Sequence, residues 1–361
     1  MLKPALALST LLLAASPVFA DPATPRIDQR QDNQAQRINQ GIQSGALTGR
    51  EAATLSAREN NNEPVWREVR SGKPDAFTTT QVRGRETNVL INPQGEKWRV
   101  FRDGPVTQVG GALIVVIALL VFAFHKRYGT IKLTEKPTGR LIQRFTDWQR
   151  LTHWTTAISF VLLGATGLIM FFGKYVLLPV LGYTLFSWLA RISITLHNFV
   201  GPVFFVSVIA LFVAFVRKNG WRAHDWLWLK KGGGLRSREH IASDFFNAGE
   251  KLWFWGGVTL LGLIVSCTGF VLDFANFDQT RNTMQIANMI HSIGALLFVT
   301  GSLGHIYMGT LGMGGAYEAM RTGLVDESWA KEHHEFWYND VKSGKAGAPI
   351  SKAAPAAQAS A

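Results

Sequence analysis

Cysteine is almost missing from this sequence: one thiol, Cys267, in 361 residues. A single cysteine can neither hold an iron–sulfur cluster nor build a disulfide framework. Any electron carrier bound here must be held by histidine, and Cys267, inside an apolar run, is expected to be ordinary helix packing. Acidic side chains are also few, 25 against 37 Lys and Arg, for a net charge of +12. That balance can mark a nucleic-acid binder. Here, however, much of the basic charge lies in loops beside apolar runs, where membrane topology and anionic lipid account for it, so nucleic acid is not expected as a partner.

What the chain has in quantity is apolar surface: 47% hydrophobic residues, with 12 Trp and 23 Phe. These collect into long uncharged runs separated by charged segments, the pattern of an integral membrane protein. The first twenty residues read as a secretory signal, with Lys3, an apolar core from Ala5 to Ala15, and "SPVFA" as a cleavage site after Ala20. Five transmembrane helices are expected, at Val109–Phe124, His153–Phe172, Ile192–Val216, Leu252–Leu272 and Ile286–Leu311. All but the first approach or exceed the roughly 20 residues that a bilayer core needs. The first reaches that length if extended toward Pro105.

Charge predicts the orientation. Lys and Arg number seven in 126–150 and eight in 217–251, whereas the opposite loops hold only Lys174, Arg191 and Arg281. The basic side is expected to be cytoplasmic. An exported N-terminus and five crossings then place the C-terminal tail, residues 312–361, in the cytoplasm, with its last part disordered.

The exported segment, residues 21–108, divides in two. Residues 26–59 read as a helical hairpin whose first arm stops near Gly45 and whose second starts at Thr48 with a capping box to Glu51. Residues 77–103 read as short strands, "FTTTQV", "TNVLIN" and "KWRVFRD", with turn chemistry at "NPQG". The pattern predicts a small α+β docking or bracing segment without a catalytic constellation.

Two histidines, His291 and His305, interrupt the last apolar run fourteen positions apart. On a helix that is roughly 21 Å of rise and within about 40° of the same face, so one helix offers a nitrogen ligand near each membrane surface. His197, near the periplasmic start of its helix, lies level with His291. His153, at the cytoplasmic start of its own, lies level with His305. Zinc would ask for three or four ligands at one depth, whereas two imidazoles per depth suit a six-coordinate haem iron with no open position. Gly201, Gly294, Gly301 and Gly309 lie a turn from these histidines, leaving flat backbone for a porphyrin, although such glycines also serve helix packing. Histidines that merely hydrogen-bond within the bundle are the competing explanation. His125 is expected at the headgroups, and His224, His240, His333 and His334 in solvent.

The stretches "RLTHW" at 150–154, "ITLHNFVG" at 194–201, "DFFNAGEKLWFW" at 244–255, "MIHSIG…GHIYMG" and "WAKEHHEFWY" resemble the cytochrome b (gamma) subunit of membrane-bound formate dehydrogenase. The resemblance runs from about Arg140 to Tyr338. It implies a fold that is all-α and integral to the membrane: a four-helix di-haem bundle over residues 152–311, with residues 109–124 as an extra N-terminal span. It further implies two haem b groups, His197 with His291 holding the periplasmic one and His153 with His305 the cytoplasmic one. A quinone site is implied near the inner haem, at Asn247, Gly249 and His305, with Glu250 standing where some members carry Gln. From the residues alone, Asn247 reads as a helix cap. The implied partners are an iron–sulfur beta subunit and a molybdenum- or tungsten-containing alpha subunit. The chain by itself would oxidise no formate. It would pass electrons to ubiquinone or menaquinone in the bacterial inner membrane. The nearest rival is a cytochrome b of a nickel–iron hydrogenase, and a non-redox membrane anchor is a second.

Overall fold

The computed structural model describes residues 25–48, 50–52, 55, 93–234, 241–275, 277 and 279–347, and the chain divides into two units. The signal segment, the strands expected at 77–82 and 87–92, His240 and the end of the tail lie outside the described residues.

The described part of the first unit begins with helix α1 (Pro25–Gln43). It ends in a turn at Gly45, whose φ of 69° suits a residue without Cβ, and Leu47 N–H returns to Gly41 O at 3.0 Å. The Thr48 N–H then donates to Glu51 Oε2 at 2.9 Å while Glu51 N–H donates to Thr48 Oγ1 at 3.3 Å, a reciprocal cap.

The second unit is the membrane bundle, and it corrects the strand expected at "KWRVFRD". Those residues belong to α2 (Pro93–Phe101) and the π-helical turn that follows it. Pro93 opens the helix, where a missing N–H is harmless, and Glu96 and Arg99 pair one turn apart at 2.7 Å. The chain continues through the π-helical turn Arg102–Val106 into α3 (Thr107–Tyr128), so the first span runs from Gly95 to Tyr128 over 34 residues. Pro105 within the turn removes one backbone donor. Thr107 closes the turn, donating from both its N–H and its Oγ1 to Arg102 O, the latter at 2.8 Å.

Four further spans follow. Helix α4 (Asp147–Val176) starts at Thr146, which forms a capping box with Gln149. Helix α5 (Leu178–Phe215) reverses direction beside it, with a break at Gly182, φ 69°. After the short α6 (Ala223–Lys230), α7 (Ala248–Leu252) runs through a π-helical stretch, Trp253–Leu261, into α8 (Gly262–Asp273). Helix α9 (Arg281–Tyr307) is capped by Thr280 and ends in a π-helical turn, Met308–Gly312. α4 packs chiefly on α5, α8 on α9, and α3 on α9, where Gly110 lies directly against Leu296. All five spans are apolar enough to cross a bilayer, and the outward faces of α3 and α5 expose Val116, Leu120, Val206 and Val213. The protein is an integral membrane protein of mainly helical fold.

One end of the bundle carries a folded cap. Strand β1 (Leu141–Gln143) pairs antiparallel with β2 (Leu324–Asp326), Ile142 opposite Val325. With α10 (Ala316–Thr322), α11 (Glu327–His333) and α12 (Glu335–Lys342) it closes over a core of Ile142, Phe145, Phe215, Trp329, Trp337 and Tyr338. The described tail is therefore packed structure. Cys267, expected to pack, is instead exposed on the bundle surface.

Candidate cofactor site

The structure brings the four membrane histidines together in two pairs. The imidazoles of His197 on α5 and His291 on α9 have centroids 6.1 Å apart at 73°, and those of His153 on α4 and His305 on α9 are 6.3 Å apart at 57°. An ion held between two imidazoles needs about 6 Å: two metal–nitrogen bonds of about 2 Å and about 1 Å from each nitrogen to its ring centre. Both gaps fit. Among the described residues no group of three or more His, Cys, Asp and Glu is arranged for a metal ion. Axial ligation of a prosthetic iron suits these pairs better than an all-protein metal cage.

The His197–His291 pair is also held in the tautomer that ligation requires. Thr166 Oγ1 donates its hydrogen to Leu162 O at 2.7 Å, so at 2.9 Å from His197 Nδ1 it can only accept. Thr268 does the same, donating to Ile264 O at 2.6 Å and lying 3.1 Å from His291 Nδ1, which is also 2.9 Å from Val265 O. Both Nδ1 atoms therefore carry hydrogen, and both Nε2 lone pairs are left for a metal. A Cβ on the residue after each threonine would meet the imidazole: Gly167 at 3.3 Å from His197 Cε1, Gly269 at 3.4 Å from His291 Cε1. This Thr–Gly pair recurs on α4 and α8, each facing one imidazole of the pair.

The glycines singled out from sequence divide. Gly201 and Gly309 face open space, as a flat ligand would need, but Gly294 packs on Val265 and Ile264, and Gly301 on Trp253. Trp253 was not anticipated. Its ring lies over Gly257, where a Cβ would sit 2.5 Å away, and stacks on His305.

His153 and His305 open into a cavity of about 1340 Å³ that Asn247, Gly249 and Glu250 also line. Ordinary ligand pockets are about 300–1,000 Å³, so there is space for more than one organic group. The structure bears out the cap reading of Asn247: its Oδ1 accepts from Glu250 N–H at 3.0 Å, and Glu250 Oε2 accepts from Asn247 N–H at 2.8 Å. The start of α7 is fixed from behind by Lys251, wholly buried, whose Nζ reaches Asp225 at 2.8 and 3.0 Å and Asp244 at 3.3 Å.

The histidines assigned to solvent behave otherwise. His334 is 1% exposed and donates from Nδ1 to Asp244 O at 2.7 Å; burial holds its pKa well below the usual imidazole range, so it is neutral. His333 packs on Trp329 and, like His334, borders the cavity. His224 is 2.9 Å from Asp244. His125, expected at the headgroups and not in solvent, is 3.3 Å from the Tyr307 hydroxyl. The expectation failed because "HH" in a charged tail gives no sign that the tail folds back over the bundle.

A helical membrane bundle whose facing helices present paired imidazoles is the architecture of a b-type cytochrome. Residues 144–323 match the family of prokaryotic cytochrome b561. The formate dehydrogenase cytochrome b556(fdo) subunit of Escherichia coli (strain K12) is 32% identical over 210 residues, 56% of this chain and 93% of that protein. The nitrate-inducible cytochrome b556(Fdn) subunit of the same strain is 29% identical over 219 residues, 58% of this chain and 95% of the relative. A cytochrome b556 subunit from Haemophilus influenzae is 30% identical over 203 residues, 53% and 79%. The chain belongs to the family of formate dehydrogenase cytochrome b subunits. Its haem is of the b type.

Proposed function

We propose that this chain carries electrons from formate-oxidising partner subunits, on the side opposite the folded cap, to a membrane quinone beside the cap. The observation that carries the reading is the stacking of two imidazole pairs, at 6.1 and 6.3 Å, within one bundle. Two haem b groups bound there would supply the one-electron relay that the protein's own side chains lack. His197 and His291 hold the outer group, with Thr166 and Thr268 keeping their Nε2 atoms unprotonated. His153 and His305 hold the inner one.

The quinone head belongs in the cavity that His305 shares with Asn247, Gly249 and Glu250. The Asn247 Oδ1 is engaged with Glu250 N–H, which leaves its Nδ2 to donate to a quinone oxygen. Gly249 leaves room for the ring. Glu250 lines this same space, placed to deliver a proton. With fifteen Lys and Arg in the two loops on the cap side and three opposite, the cap faces the cytoplasm. Protons are taken up there while electrons arrive from the periplasm. The partners are an iron–sulfur subunit and a molybdenum- or tungsten-containing subunit, and this chain alone oxidises no formate.

The test is to purify the chain with its partners and offer formate or hydrogen. Formate should reduce the b-type absorption and yield quinol when quinone is supplied. Reduction by hydrogen and not by formate would assign the chain to a hydrogenase instead.

A further inference from the structure

Arg144 lies between β1 and the start of α4. Its side chain is 3% exposed, and its guanidinium carbon is 4.8–5.8 Å from the ring centroids of Phe145, Phe245, Phe246, Trp329 and Trp337. Nη2 donates to Phe245 O at 2.8 Å, and Glu250 stands 3.8 Å away, beyond hydrogen-bond reach. Nη1 is buried and has no hydrogen-bond partner. Burial pushes the pKa down to about 10, against the pull of Glu250, so the group is still a cation at neutral pH.

A buried guanidinium with one donor unmet is strongly disfavoured unless an anion completes it. Arg144 borders the cavity that holds His153 and His305. Among the described residues lining that cavity the only other Lys or Arg is Lys132, which is exposed. His334, beside Arg144, is neutral and offers no counter-charge.

We propose that Arg144 anchors a propionate carboxylate of the haem held by His153 and His305. The proposal rests on the di-haem reading above. A haem brings two carboxylates into a low-dielectric space, and a planar guanidinium fork is the side chain suited to pairing with one. The aromatic cage keeps the fork aimed, because flat, weakly hydrated guanidinium stacks well on rings. A quinone oxygen is the poorer match: it accepts a hydrogen bond and leaves the positive charge unneutralised.

Redox titration of both haems in the intact complex tests this, with Arg144→Gln and Arg144→Lys. Loss of a fixed positive charge beside a propionate makes adding an electron harder. Arg144→Gln should therefore lower the midpoint potential of the inner haem and leave the outer one in place, and Arg144→Lys should restore most of the shift. Infrared redox-difference spectra of the wild-type complex, with haem ¹³C-labelled at its propionates, should show a labelled carboxylate band that moves when the inner haem is reduced. That measurement decides the matter even if Arg144→Gln fails to assemble. An unmoved inner potential, a silent labelled band, or a fall in quinone affinity with both potentials unchanged would overturn the proposal. Fewer than two b haems in the wild type would instead remove the di-haem reading itself.

Discussion

Trp253 lies flat against the imidazole of His305, centroids 5.2 Å apart and planes 16° from parallel. The contact exists because two glycines make room for the indole: a Cβ would lie 2.5 Å from it on Gly257 and 3.0 Å on Gly301. The ring orientation of one histidine is thus set by a residue in the π-helical stretch of a neighbouring span. Gly257→Ala should push Trp253 onto His305, altering the α-band and the ferric resonance signal of the inner haem while sparing the outer one. Low-temperature spectra of the variant read this directly. An unchanged inner haem would remove the positioning role of Trp253.

Thr166→Val and Thr268→Val test the outer pair. Each removes the acceptor that Nδ1–H faces, and ligand-orienting partners of this kind are worth about 10–100-fold in metal affinity or activity. Val265 O lies 2.9 Å from His291 Nδ1 and Leu163 O faces His197 in the same way, so the two variants should each lose only part of the outer haem, to a similar degree. Losing the hydrogen bond also makes the imidazole a weaker donor, so any haem retained should have a higher potential. Haem content and redox titration of the two variants check both points.

How much of this was readable beforehand depends on periodicity and depth. Four histidines inside apolar runs could be sorted by position along their helices, and the pairs in the structure are the pairs so formed. The capping roles of Thr48 and Asn247 were equally local. What sequence did not reveal depends on contacts across elements. "KWRVFRD" alternates like a strand, yet becomes helix because it runs straight into a long apolar one. Arg144 and His334 acquire their surroundings only when the tail folds back over the bundle, and Trp253 acquires its own only when α9 packs beside its span. Thr166 and Thr268 lie on spans other than those of their histidines, and a reading of one helix at a time passes them by.

The wholly buried Lys251–Asp225 pair should be structurally decisive. Removing one member of such a pair strands the other charge, at a cost of about 3–5 kcal/mol. Lys251→Met should therefore lower the thermal midpoint of the purified complex sharply and loosen the Asn247–Glu250 corner. Lys251→Met combined with Asp225→Asn should recover part of the loss. A thermal shift series checks the ordering, and additive losses would contradict a coupled pair.

The cap should have a defined pH window. The Tyr338 hydroxyl donates to Glu327 Oε1 at 2.7 Å, and this bond, with Arg140, holds the Glu327 carboxyl below its usual range despite burial. Its contribution is present above an ordinary glutamate pKa of about 4.3 and is lost as pH falls through the lowered folded value. Burial and the same bond push Tyr338 up to about 12, so on the alkaline side the phenol's contribution is present below about 10 and fades as pH rises toward that folded value. Amide exchange across α11 and α12 should be slowest between these limits, and Glu327→Gln should flatten the acid side.

The most direct test is haem-resolved spectroscopy of single histidine variants in the assembled complex. His197→Ala should abolish one b-type component and keep the other. His305→Ala should abolish the remaining component together with quinone reduction by formate. Equal loss of both components in either correctly inserted variant, or a full haem complement in both, would contradict the paired ligation on which the account rests.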